Sequence, residues 1–166
     1  MYNIPLLFEC LLAAAKDLNR QLTGSDFGKY YRAVVNGVPD PPEGTLEDYL
    51  IKDGRANTSG VCPGTTPGAK PARLHYRVIK TVTGDDSPAS LVEIHLDTGR
   101  HHQIRVQMAH LGCPLAGDRK YGHPPAEKTA ADQKSSAPLK LCAFRLEFRH
   151  PRTGRKMQFE LPDVFL

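Results

Sequence analysis

Two strand-like segments separated by a short turn constrain the fold of this chain more than any other feature. Residues 74–82 and 90–96 combine β-branched residues with period-two alternation, and the connection between them contains TGDDSP, a run of turn-forming residues. A connection this short cannot provide the crossover that a parallel pair needs. The two segments are therefore predicted to form an antiparallel hairpin.

Periodicity elsewhere in the chain predicts the remaining elements. Four further segments are rich in β-branched and aromatic residues or alternate in polarity, and they predict strands at residues 29–36, 44–52, 139–148 and 157–161. Apolar residues at three- and four-residue spacings predict helices at residues 6–22 and 102–111, with Gly24 and Gly112 as stops. Two segments rich in Gly, Pro and polar residues predict an irregular excursion at residues 54–72 and a mobile loop at 123–138.

These elements predict an α+β fold in which a mostly antiparallel mixed sheet carries inserted helices. A length of 166 residues suits one domain, spanning residues 1–166. The 14 glycines and 14 prolines disfavour a helix bundle, because both residue types interrupt helices.

Composition narrows the class of partner. The four cysteines are scattered without a C-x-x-C pair, which favours a reduced, cytoplasmic protein, and no apolar run approaches the roughly 18 residues of a membrane span. Residues 95–160 hold 12 Lys+Arg against 6 Asp+Glu, whereas residues 1–94 hold 10 against 11. This asymmetry favours a polyanionic partner such as RNA, the alternative being an ordinary solvated basic face.

The most informative run is residues 97–122, DTGRHHQIRVQMAHLGCPLAGDRKYG, in which a turn leads into a short helix and then a glycine-rich loop. Arg100 follows the end of a predicted strand, where its guanidinium and the first helical N–H groups face the same region, an arrangement that favours phosphate. The run concentrates four cations: Arg100, Arg105, Arg119 and Lys120.

This run resembles the signature segment of the RluA-type RNA pseudouridine synthases, T-G-R-x-H-Q-I-R-x-x-x-x-x-x-G-x-P-L-x-G-D-x-x-Y-G. The matched positions are Thr98, Gly99, Arg100, His102, Gln103, Ile104, Arg105, Gly112, Pro114, Leu115, Gly117, Asp118, Tyr121 and Gly122. Residues 29–37 are similar to the family's K-x-Y-x-A-x-V-x-G strand, and residues 146–154 to its closing hairpin.

The resemblance implies the antiparallel-sheet catalytic-domain fold of that family, acting on uridine in RNA without cofactor or metal. In this chemistry an aspartate attacks the nucleoside, the glycosidic bond breaks, and the uracil is rejoined through carbon. Ribosomal RNA is the first expected substrate and transfer RNA the second. The chain is expected to be a monomer or an edge-mediated dimer.

Residue by residue, the resemblance implies that Tyr31 packs against the flipped uracil and that Arg105 pairs with the catalytic carboxylate. Ile104 is expected to line the pocket and Asp118 to orient its loop. The expected RNA-binding residues are Arg100, His102, Gln103, Arg119 and Lys120.

The family's catalytic H-R-L-D motif does not occur in the 166 residues. We therefore expect a domain truncated at its N-terminus, inactive or impaired because the nucleophilic aspartate is absent, with Arg105 left unpaired. The alternatives are a non-catalytic RNA-binding module and a structural remnant of the same fold.

Three histidines of the motif region, His101, His102 and His110, raise the question of a metal. Zinc needs three or four convergent ligands, and adjacent side chains on a helix point about 100° apart. No metal site is predicted there.

Overall fold

The computed structural model describes residues 4–24, 26–83, 88–122, 137–162 and 164–165. Their helices and strands are, in chain order, α1 (Ile4–Thr23), β1 (Gly28–Asn36), β2 (Glu43–Asp53), β3 (Thr58–Cys62), β4 (Lys70–Thr83), β5 (Pro88–Leu96), α2 (Gln103–His110), β6 (Leu141–Arg149) and β7 (Lys156–Glu160).

The seven strands form one sheet in the order β3-β2-β4-β5-β1-β6-β7, and each neighbouring pair is antiparallel. The predicted hairpin is present as β4 and β5, with Leu74 opposite Leu96 and Val78 opposite Val92. The predicted α+β class is confirmed. Strand β1 is an interior strand of the sheet because it pairs with both β5 and β6.

The two faces of the sheet differ in chemistry. On one face, apolar residues of β1, β4 and β5 form the core, and α2 packs over them through Ile104 and Met108. Because successive strand residues point to opposite faces, the alternate residues line the other face. A row of them lies in register across four strands: Thr45, His75, His95 and Tyr30.

Helix α1 joins the sheet near the end of β6. The buried Gln21 amide donates to the Arg149 carbonyl and accepts from the Arg149 N–H, both at 2.8 Å. The helix ends where the sequence predicts, with the Gly24 N–H bonded to the Gln21 carbonyl. Within the described part of the chain, no helix is long and apolar enough to span a membrane.

The predicted irregular excursion at residues 54–72 is wrong in part, because β3 and the start of β4 lie within it. Strand β3 pairs with β2 through a tight turn, in which the Asp53 carboxylate accepts the N–H groups of Arg55 and Ala56. Backbone pairing with β2 thus outweighs a local composition that is poor in strand-forming residues. The predicted loop at 123–138 lies mostly outside the described residues, as does the centre of the 83–88 turn.

Candidate active site

The turn between β5 and α2 is closed by the side chain of Gln103, which is 2% exposed. Its carbonyl oxygen accepts the Arg100 N–H and the Thr98 hydroxyl, each at 2.9 Å, and its amide donates to the Arg73 carbonyl on β4. The amide of Gln103 is therefore engaged at both ends within the chain. The side chain therefore closes the turn, because a buried amide must satisfy its hydrogen bonds internally.

Arg105 of α2 forms a two-pronged ion pair with Asp118 in the following loop. The Arg105 Nε and Nη2 atoms each lie 2.7 Å from a different Asp118 oxygen. The Asp118 side chain is fully buried and that of Arg105 is 16% exposed. The expectation that Arg105 is unpaired is therefore wrong. The 112–118 loop turns back along α2 and supplies a carboxylate that the sequence alone does not place.

Asp118 also organises its own loop, as predicted. Its Oδ1 accepts the backbone N–H groups of Lys120 at 2.9 Å and Tyr121 at 3.0 Å. Burial opposes ionisation, but the hydrogen bonds from Arg105 and from these two N–H groups outweigh it and hold the pKa of Asp118 below its ordinary value. The hydrogen bond from Arg105 to Asp118 likewise raises the pKa of the guanidinium. Asp118 is thus an ionised positioning group with its oxygens occupied, which makes it a poor nucleophile.

The β2–β3 hairpin holds this loop from the other side. The Tyr121 hydroxyl accepts the Ser59 N–H at 2.9 Å and lies 2.9 Å from His102 Nδ1. Lys120 donates to the Asn57 carbonyl at 2.7 Å. Sequence reasoning missed Asn57 and Ser59, since the contacts span more than 60 positions and lie in a segment predicted to be irregular.

His101 and His102 both precede α2, so the prediction that they diverge on a helix is wrong. His102 adopts a left-handed backbone with φ 53°, and the two ring centroids lie 3.9 Å apart. His101 contacts the Ser59 hydroxyl and the Asn57 side chain. Burial and neighbouring cations lower the pKa of both histidines, which favours neutral rings at neutral pH. His110 lies apart from them and contacts Asp48 at 3.0 Å.

Tyr31 and Ile104 belong to the same apolar cluster. Ile104 is buried in it, and Tyr31 packs against it from β1 while remaining partly exposed. Burial raises the pKa of Tyr31, so its hydroxyl stays protonated at neutral pH. The structure therefore brings together two residues that lie 73 positions apart and that the sequence predicts to share a pocket.

A basic cavity of about 440 Å³ lies beside the turn that precedes α2. Its lining includes three cations from three different segments, Lys52, Lys70 and Arg100. Arg100 is oriented by donating from Nε to the Pro71 carbonyl at 2.8 Å. Arg119, the remaining predicted RNA contact, is exposed on the loop after α2. Three cations that line one cavity favour the binding of a phosphate group there.

Comparison of this sequence with known proteins identifies its family. Residues 12–110 match the family model described as RNA pseudouridylate synthase. The chain is 36% identical over 149 residues to the Bacillus subtilis RNA pseudouridine synthase YlyB, covering 90% of this chain and 45% of the relative. It is 37% identical over 154 residues to the Escherichia coli dual-specificity RNA pseudouridine synthase RluA, covering 92% of this chain and 65% of the relative.

A further relative is the Neisseria meningitidis ribosomal large subunit pseudouridine synthase D, 36% identical over 155 residues, covering 91% of this chain and 40% of the relative. Among solved structures, human RNA pseudouridylate synthase domain containing 1 superimposes with a TM-score of 0.73 at 27% identity, covering 93% of this chain and 62% of that chain. The chain spans less than half the length of the Bacillus and Neisseria relatives. With the matched model and the shared fold, this chain belongs to the RNA pseudouridylate synthase family, of the RluA type.

Proposed function

We propose that this chain is the body of an RNA pseudouridine synthase that isomerises uridine in ribosomal RNA, with transfer RNA as the second substrate class. The observation that carries the proposal is the fixed Arg105. Two hydrogen bonds hold it to the buried Asp118, and the preceding residue, Ile104, packs into the cluster that Tyr31 joins. These are the positions that the family resemblance assigns to the reaction.

Each of these residues has a distinct role in the proposed reaction. Tyr31 packs against the uracil after the nucleotide leaves the stack, a step required because the reacting atoms are inaccessible in a duplex. Arg105 uses two of its five N–H donors on Asp118, which leaves donors for the attacking carboxylate. The ion pair with Asp118 fixes the guanidinium before substrate arrives, so little order is lost at the reaction step.

The proposed reaction also needs a carboxylate that attacks the nucleoside, and the described residues around Arg105 do not supply it. The 166 residues contain no H-R-L-D sequence, and the oxygens of Asp118 are occupied by Arg105 and two backbone N–H groups. We therefore propose that these residues isomerise uridine only when joined to a segment that carries the family's aspartate.

The proposed RNA contacts lie around the basic cavity and the loop after α2. Lys52, Lys70 and Arg100 line the cavity, and Arg119 lies exposed on the loop. Phosphate contacts of this kind release counterions, so RNA affinity should fall steeply as salt is added.

A non-catalytic RNA-binding module is the second candidate. The observation that favours it is the engaged state of Asp118, which leaves this carboxylate without a free oxygen for attack. Such a module would keep the basic cavity and its salt-dependent binding. The two candidates therefore differ in isomerisation and agree in RNA binding.

Tritium release from ribosomal RNA labelled at uracil C5 tests the proposal. Three proteins are compared: the chain as given, the chain extended with an H-R-L-D segment, and the extended chain with that aspartate changed to Asn. Release by the extended chain alone is expected. Release by the given chain would overturn the assignment of the nucleophile, and salt-dependent RNA binding without release by the extended chain would favour the binding module.

A further inference from the structure

Three potential metal ligands, His75, His95 and Asp97, lie together on the sheet face opposite α2. His75 of β4 is the registered partner of His95 of β5, and Asp97 follows His95 by two residues. One nitrogen from each histidine and one carboxylate oxygen lie within 4.8 Å of one another. The residues of the family signature that surround Arg105 take no part in this cluster.

The distances within the cluster are close to those of a tetrahedral metal site. His75 Nε2 lies 3.0 Å from Asp97 Oδ2, and His95 Nδ1 lies 3.7 Å from Asp97 Oδ1. Metal–ligand bonds of about 2.0–2.1 Å in a tetrahedral zinc site place the ligand atoms roughly 3.3 Å apart. Because the three ligand atoms lie within 4.8 Å of one another, side-chain rotations are needed to bring all three to one ion.

Neighbouring side chains orient both imidazoles. In the metal-free chain, His75 Nε2–H donates to Asp97 Oδ2 at 3.0 Å and the Thr45 hydroxyl donates to Nδ1 at 2.8 Å. When Nε2 binds a metal, the ring proton lies on Nδ1 and Thr45 accepts it, which fixes the ring. The His95 ring stacks on the Tyr30 ring with centroids 4.6 Å apart. The Arg145 guanidinium lies over the Tyr30 ring, 3.8 Å from its centroid.

We propose that His75, His95 and Asp97 bind one divalent transition-metal ion of the zinc type. Two imidazoles and one carboxylate form a donor set that suits zinc and leaves a fourth position for water or a further ligand. His75 and His95 line an open groove together with two carboxylates, Glu43 and Glu93, and one guanidinium, Arg77.

Arg73 would compete with the metal ion for the Asp97 carboxylate. Its Nε lies 3.2 Å from Asp97 Oδ2 and also 3.2 Å from Glu47 Oε1. Arg73 can keep Glu47 as its partner when Asp97 turns to the metal. Removing the Arg73 guanidinium should therefore strengthen metal binding, a result that a merely disruptive substitution would not give.

The ion would join β4 to β5 without entering the reaction. The cluster projects from the face opposite Tyr31 and Arg105, because His95 and Ile94 are consecutive in β5 and Ile94 lies in the core. Metal that binds the folded chain better than the unfolded chain raises its stability in proportion to the logarithm of the metal concentration. A chain that binds no metal at this cluster could still isomerise uridine, because the metal would change only stability and metal affinity.

Calorimetric titration of the metal-stripped full chain with zinc chloride tests the site. We expect one zinc per chain, with affinity reduced at least tenfold in His75→Ala and in His95→Ala. Thr45→Val, which removes the hydroxyl beside His75, should lower the affinity by roughly 10-fold. The matched control is His110→Ala, because His110 contacts Asp48 at 3.0 Å as His75 contacts Asp97, and its affinity should stay within twofold of the wild type.

Cobalt chloride provides a second readout of the same ligands. A tetrahedral cobalt site absorbs strongly in the visible range, and this band should be lost in His95→Ala and strengthened at limiting metal in Arg73→Ala. Zinc affinity that is equal in the wild type, His75→Ala and His95→Ala would overturn the proposal, as would a loss of affinity confined to His110→Ala. Thr45→Val and Arg73→Ala keep the test decisive if a histidine variant fails to fold, since the proposal requires them to change affinity in opposite directions.

Discussion

The two faces of the sheet hold their charges in contrasting ways. On the α2 face, Arg105 and the fully buried Asp118 form two hydrogen bonds of 2.7 Å. On the opposite face, Arg73 shares its Nε between Asp97 and Glu47 at 3.2 Å each, and its side chain is 51% exposed. A buried charge that loses its partner stays uncompensated, whereas an exposed one is solvated. The first pair is thus part of the scaffold, and the second is exchangeable.

The largest effect is expected from Asp118→Asn. This substitution leaves the Arg105 guanidinium partly buried without a countercharge, which should lower the free energy of unfolding by about 3–5 kcal/mol. Urea denaturation of the purified chain measures the loss. The control is Asp97→Asn on the open face, which should cost no more than about 1 kcal/mol. Equal losses in the two variants would remove the contrast between the faces.

Gly117→Ala should destabilise the loop that carries Asp118. Gly117 has φ +77°, and an added Cβ would lie 2.4 Å from the Pro138 carbonyl oxygen. Backbone strain of about 1–2 kcal/mol and a steric clash of similar size should together lower the free energy of unfolding by roughly 2–4 kcal/mol. Gly112→Ala is the control, because Gly112 has φ +87° but no neighbour within 4 Å of the added Cβ. A matching loss in both would show that Pro138 does not confine the loop.

Acid should weaken the α2 face selectively through Asp118. The pKa of this carboxyl is lower in the folded chain than its ordinary value of 3.8, so its stabilisation is complete above that value and is lost as pH falls through the folded pKa. Urea denaturation at a series of pH values should show this loss in the wild type. The same series with Asp118→Asn should lack that component. An identical pH dependence in both proteins would contradict the assignment.

Features that depend on residues close together in the sequence are predicted, and contacts between residues far apart in the sequence are not. The β4–β5 hairpin and α2 are predicted from local periodicity, and Gly112, the predicted stop, follows α2 with a left-handed backbone. The ion pair between Arg105 and Asp118 depends on a loop conformation that periodicity does not encode. The contact of Ser59 with Tyr121 joins residues 62 positions apart. The spacing of residues in one sequence can identify such residues individually, but it does not show which of them contact each other.

Tyr121→Phe tests how much the hydrogen bond between Ser59 and Tyr121 contributes to attaching the β2–β3 hairpin to the loop after α2. The substitution keeps the ring beside Arg105 but removes the oxygen that accepts the Ser59 N–H. The substitution also removes the contact of the hydroxyl with His102 Nδ1, so the free energy of unfolding should fall by about 1–3 kcal/mol, the usual contribution of two such hydrogen bonds. Amide hydrogen exchange should accelerate at Ser59 and stay unchanged in the β4–β5 pair. Unchanged exchange at Ser59 would show that the hairpin is held by other contacts.

The smallest effect on stability is expected from Arg73→Ala on the open face. Arg73 is half exposed and its two acidic partners remain solvated after its removal, so the free energy of unfolding should change by no more than about 1 kcal/mol. Urea denaturation in metal-free buffer measures the change. A loss of 3 kcal/mol, comparable with that of Asp118→Asn, would mean that Arg73 is as integral to the fold as Arg105. A small loss, together with tighter zinc binding, would show that Asp97 is held loosely enough to change partners, which is the property that separates this face from the one that carries Arg105.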